Sequence, residues 1–186
     1  MNLNSIKDQL YYSTVMIESA QSSGTAFLLP KTIGELGRVY LVTNKHVVKN
    51  QTECKIRFHK SESLDPSNKV GDFIHNFTNE EWVNGWKFHS DDDVDLAVFN
   101  LTETMATLHE QKQYIFYRCL DANMIATKEK AKEVIAMERI FFVGYPNAFR
   151  DELNNLPIAR SGYLATPLYS DFEGKEAFLF DASVFE

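Results

Sequence analysis

Ser23-Gly24-Thr25-Ala26-Phe27-Leu28-Leu29 and Tyr40-Leu41-Val42-Thr43-Asn44-Lys45-His46-Val47-Val48 decide how this chain is read. Each begins as a run of apolar and β-branched residues, the pattern of a buried strand. The second run then breaks into Thr-Asn-Lys-His before a further apolar step. A histidine at the end of a buried strand stands out in a chain that holds only five. Two readings are open for His46. It is a core histidine hydrogen-bonded to backbone, or a general base held at a rigid, partly covered edge.

Outward from these stretches the texture is short strands separated by turns. The expected strands span 13–18, 24–29, 38–43, 54–59, 70–77, 84–89 and 95–101. Turn residues such as Gln21-Ser22-Ser23-Gly24, Asp65-Pro66-Ser67-Asn68 and Ser90-Asp91-Asp92-Asp93 separate them. Short strands at intervals of about ten residues suggest an all-β barrel or sandwich. Before them, residues 3–11 fit a short amphipathic helix with Leu3, Ile6 and Leu10 on one side. After them, residues 102–137 change character, and the charged run 127–133 reads as a solvated helical turn. Strand texture returns at 139–144, 158–164 and 176–181. The organisation expected is an arm at 1–12, a first β lobe at 13–110 and a second at 111–186.

The composition supports a packed core and narrows the function classes. Among 186 residues, 44 % are apolar and 13 % aromatic, with 14 phenylalanines, so the chain can bury enough surface to fold. The net charge of -7 comes with no basic stripe, which argues against a nucleic-acid partner. No apolar run approaches a membrane span, and the N-terminal stretch lacks a signal-peptide core. The expectation is a cytoplasmic protein with no membrane association. Cys54 and Cys119 do not make a disulfide framework and read as buried free thiols. No close-spaced ligand cluster suggests zinc.

Asp95 is the second candidate for chemistry. It follows the turn Asp91-Asp92-Asp93 and leads into Leu96-Ala97-Val98-Phe99. A carboxylate at the mouth of an apolar strand is costly unless paired or hydrogen-bonded. It is either a turn-capping aspartate or an acid that receives an imidazole N–H and fixes its tautomer. Gly144-Tyr145-Pro146 is a strand-ending turn and by itself a weak signal.

Taken in order, Ser-Gly-Thr-Ala-Phe, Leu-Val-Thr-Asn-Lys-His-Val-Val, Asp-Val-Asp-Leu-Ala-Val-Phe and Phe-Phe-Val-Gly-Tyr-Pro resemble the trypsin-like serine proteases. Among these the chain is most similar to bacterial, disulfide-free members laid out like the HtrA proteases. The runs 154–165 and 176–185 resemble the same branch, so the likeness covers nearly everything from residue 13. It implies an all-β fold of two six-stranded antiparallel barrels of the trypsin type. It implies that His46 is the general base and Asp95 the orienting acid of an endopeptidase that acts through an acyl-enzyme. The implied partner is a peptide or protein substrate, and no metal or organic cofactor is implied. Gly24 is expected to let its strand bend.

The family's nucleophile lies in a Gly-x-Ser-Gly segment entered from a strand similar to Phe178-Leu179-Phe180-Asp181-Ala182. Residues 1–186 contain no such segment. Ser183, Cys54 and Cys119 lack its glycine-flanked context, Ser161-Gly162 sits in the position of a family strand, and all four are rejected as substitutes. The chain is therefore expected to be inactive alone, with the second barrel incomplete. A regulatory protein or an additional segment would complete that barrel. The alternative is a non-catalytic pseudoprotease or peptide-binding module that uses open strand edges.

Overall fold

The computed structural model describes residues 5–34, 36–64, 68–120 and 122–182. Leu3, Ser183 and part of the 65–68 turn lie outside them. The protein is mostly β, with antiparallel pairing throughout its two sheets.

A helix α1 (Ile6–Ser13) leads into β1 (Thr14–Ser19), which forms a hairpin with β2 (Ser23–Ile33). The Ser19 hydroxyl organises the turn. It accepts the Ser22 N–H at 2.9 Å while the Ser19 N–H donates to the Ser22 carbonyl at 2.8 Å. β3 (Leu36–Thr43) continues the sheet and is followed by α2 (Lys45–Val48), then β4 (Cys54–Ser61) and β5 (Lys69–Asn76). Alternation on β4 is clear: Cys54, Ile56 and Phe58 are buried, while Lys55 and Arg57 are only partly covered, as a sheet with one face on the core requires. α3 (Asn79–Gly85), β6 (Trp86–Phe88) and β7 (Ala97–Asn100) complete the first run.

In space the order is β5-β4-β1-β2-β3-β7-β6, and β8 (Tyr114–Phe116) pairs with β4. The inward side chains of Ile17, Ala26, Leu28, Leu41, Ile56 and Phe58 form one core with Trp82 and Leu101. The sheet ends, β5 and β6, are neighbours in sequence but share no ladder among the described residues. α3 stands between them. Aromatic rings fill the gap: Phe77 lies 5.5 Å from Phe99 and 5.1 Å from Trp82, and Trp82 lies 5.1 Å from Trp86. No closed barrel forms among the described residues.

The expected strand at 84–89 is thus shortened to Trp86–Phe88 by a helix the apolar pattern did not suggest. Thr78 and Glu81 form a reciprocal capping box at the start of α3, which fixes its first turn. A further helix, α4 (Thr102–Glu110), occupies part of the atypical segment after β7 and buries Leu108. The charged run carries a single helical turn, α5 (Lys128–Ala131).

The second sheet has three strands in the order β11-β10-β9: β9 (Arg139–Gly144), β10 (Ile158–Leu164) and β11 (Phe180–Ala182). The last is shorter than the expected 176–181. The loop from Tyr145 to Pro157 seats this sheet on the first. Tyr145 is buried. The Asn155 amide donates to the Arg57 carbonyl at 3.3 Å, and Lys69 Nζ donates to the Asn154 carbonyl at 2.7 Å. Arg150 lies 3.6 Å from the Glu18 carboxylate.

Candidate functional site

β3 ends at Thr43, and the chain turns through Asn44 into the single helical turn α2. Two apolar side chains of that turn, Val47 and Val48, are buried and pull it down onto the sheet. Gly24 lies directly beneath. A Cβ there would lie 2.6 Å from Val47 Cγ2 and 3.1 Å from Val47 Cβ. The glycine is therefore needed for close approach of α2. With Val47 and Val48 facing inward, His46 projects outward, its side chain 71 % exposed.

Asp95 meets it there. The structure places Asp95 in the loop just before β7, not inside the strand, with its side chain 45 % exposed. The expected strand at 95–101 begins two residues late because pairing with β3 and β6 starts at Ala97. The carboxylate is gripped at both oxygens. Oδ2 lies 2.5 Å from His46 Nδ1, and Oδ1 accepts the His46 backbone N–H at 3.1 Å. The Asn44 side-chain amide donates to the Asp95 carbonyl at 2.9 Å, and Lys45 Nζ donates to the Asp91 carbonyl at 2.7 Å. Asn44, Lys45 and His46 thus clamp the acidic loop together. Sequence reasoning singled out the histidine and the aspartate but missed Asn44 and Lys45, although both stand in the same tetrapeptide.

The slight desolvation of Asp95 raises its carboxyl pKa. The His46 side-chain and backbone hydrogen bonds, the His46 charge and the Lys45 N–H outweigh it and hold the group below its ordinary value. An ionised carboxylate only accepts, so His46 carries its proton on Nδ1. Among the described residues nothing bonds Nε2, which in the neutral ring is an acceptor on an exposed side chain. Such a pair can take a proton from a hydroxyl presented to Nε2 while the carboxylate stabilises the resulting imidazolium.

A second histidine–aspartate pair serves as an internal contrast. β4 and β5 set His59 opposite Asp72, with Nδ1 and Oδ1 2.8 Å apart. His59 is only 5 % exposed. Tyr12 stands edge-on at 5.1 Å, and Lys69 lies 3.5 Å from the same Asp72 oxygen. Burial lowers the His59 pKa; the Asp72 hydrogen bond acts in the other direction without overcoming it. A buried imidazole cannot meet a substrate, so this pair is a structural tie, and exposure separates the two.

Three of the rejected nucleophiles, Ser161, Cys54 and Cys119, lie among the described residues and share no hydrogen bond with His46 or Asp95 there. Ser161 lies in the middle of β10 opposite Phe141, and its hydroxyl accepts from Arg139 Nη2 at 3.2 Å. Cys54 is buried and Cys119 half-buried, both unpaired. Burial pushes their thiols up to about 12 and about 11, which suppresses the thiolate. Gly144-Tyr145, weak as a sequence signal, proves to be a main contact between the two sheets. The Tyr145 N–H donates to Thr25 Oγ1 at 2.9 Å. Among the described residues no cluster of histidine, cysteine and acidic side chains could hold a metal ion. No helix among them is long and apolar enough to cross a membrane. No protein-family model matches the chain, and no curated protein sequence matches it significantly.

Proposed function

We propose that this chain carries the general base and the orienting acid of a trypsin-like serine endopeptidase of the bacterial, disulfide-free kind. The observation that carries the reading is the exposed His46–Asp95 pair, with Nδ1 bonded to the carboxylate and no bond to Nε2 among the described residues. His46 takes the proton of an attacking serine at Nε2 and returns it to the leaving amine. Water then hydrolyses the acyl-enzyme by the same base. Asp95 holds the ring and stabilises its charged form. The chemistry needs a serine in a Gly-x-Ser-Gly turn, whose own backbone N–H groups stabilise the oxyanion. Residues 1–186 contain no such turn, and the reading places it outside them, after β11.

The topology favours the two-barrel form of this proposal. β5 pairs with β4, and β6 pairs with β7. Taken as one strand interrupted by α3, β5 and β6 complete a ring of six: β1, β2, β3, β7, the interrupted strand, and β4 back to β1. The three-stranded sheet is then the first half of a second barrel whose remaining strands follow. A protein of this kind acts on peptides or proteins, and a cytoplasmic location fits the free thiols.

The test uses the protein as its gene encodes it. Intact-mass analysis after treatment with a fluorophosphonate should show one adduct, and peptide hydrolysis should be lost in His46→Ala. A folded protein that neither takes the label nor hydrolyses any peptide of a diverse library refutes the proposal and favours a binding module.

A further inference from the structure

Three stretches far apart in sequence meet on Thr25. The β2–β3 ladder has its last rung at Phe27 and Val42. Beyond it the Thr43 hydroxyl donates to the Thr25 carbonyl at 2.7 Å, so a side chain holds the sheet together where the main chain leaves for the His46 turn. On its other side, Thr25 Oγ1 accepts the Tyr145 N–H at 2.9 Å. Gly144 presses so close that a Cβ there would lie 2.8 Å from that oxygen. Gly24, the preceding residue, forms the floor under Val47. A β-branched side chain on a strand is stiff about its first torsion, and Tyr145 is only 4 % exposed, so this joint has little play.

We infer that Thr25 is a positioning residue of the site. Its carbonyl steadies the turn that carries His46, and its hydroxyl fixes the second sheet relative to that turn. The inference rests on the proteolytic reading, in which the nucleophile follows β11 and moves with the second sheet. The distance between base and nucleophile is then set through Thr25, although it touches neither the substrate nor the reacting atoms.

Thr25→Val keeps the shape and removes the acceptor, and Thr25→Ser keeps the acceptor. In the complete protein, Thr25→Val should lower kcat about tenfold or more with KM within about twofold, because small misplacements of reacting groups are that costly. Thr25→Ser should retain kcat within about threefold, since the acceptor survives. Amide exchange at Tyr145 should quicken in the valine variant and stay slow in the serine variant. Wild-type kcat in Thr25→Val, or equal losses in both variants, overturns the inference. So does unchanged Tyr145 exchange in Thr25→Val. If the wild-type protein neither hydrolyses peptides nor takes the serine label, the proteolytic reading falls. Tyr145 exchange then decides the joint alone: quickened only in the valine variant it stands, and unchanged it falls.

Discussion

Replacing Gly24 by alanine places a methyl group against Val47, with Val47 Cγ2 at 2.6 Å and Val47 Cβ at 3.1 Å. Neither side can yield freely. β2 is paired with β1 at this residue, and Val47 is buried beneath the His46 turn. Overpacking of this kind costs about 1–3 kcal/mol. Losing a glycine from a strand interior returns about 0.5–1 kcal/mol through backbone entropy, so Gly24→Ala should destabilise by between about 0 and about 2.5 kcal/mol. Val47→Ala removes two buried methyls and should cost about 1.5 kcal/mol or more. In the double variant the new methyl occupies the vacated space. The double variant should then be less destabilised than the sum of the singles by about 1–2 kcal/mol. Urea denaturation of the four proteins measures this cycle. Peptide hydrolysis by the same set tests the functional part. Gly24→Ala lifts α2 away from Asp95 and should lose activity, and the added Val47→Ala should restore most of it. Additivity within about 0.5 kcal/mol would show that the contact does not set the height of the turn.

Asp95→Asn should leave the fold intact and lower kcat by about 10⁴, because an amide can stabilise the wrong imidazole tautomer; a loss under about tenfold would remove Asp95 from the proposed role. Acid should destabilise the protein through His59 and His75. Burial lowers the pKa of both in the folded state, so the unfolded chain binds protons that the native chain refuses. Their contribution is complete above the ordinary histidine pKa of about 6.5 and is lost as pH falls below it. Urea midpoints should therefore drop from about pH 7.5 to about pH 5.5, and His59→Gln should flatten the drop. Cys54 and Cys119, with thiols raised to about 12 and about 11, should resist iodoacetamide in the native protein and react once urea unfolds it. Mass spectrometry counts the adducts, and fast native labelling of Cys54 would contradict its burial.

The strands were largely legible because alternation of apolar and polar residues is a local signal. Arg139–Gly144 and Ile158–Leu164 agree with the expected 139–144 and 158–164. α3 was not, since residues 78–83 were given no element and 84–89 was expected as a strand. The legible sign was Thr78 three residues before Glu81, the pattern of a capping box. Asp95 was expected as the first residue of a strand because apolar Leu96 extends the run. Pairing begins only at Ala97, and Leu96 is exposed.

What the sequence by itself determined is most of the strands and the two residue types that suit acid–base chemistry. That His46 stands exposed beside its aspartate while His59 is buried beside another was decided by tertiary structure. His46 and His59 each meet an aspartate, and only burial tells them apart. Thr25 gave no sign of its place between the two sheets until β2, Thr43 and Tyr145 were brought together. The physical reason lies in range. Propensity and periodicity act over a few residues, whereas proximity across 120 residues, as between Thr25 and Tyr145, depends on register and packing summed over the whole fold.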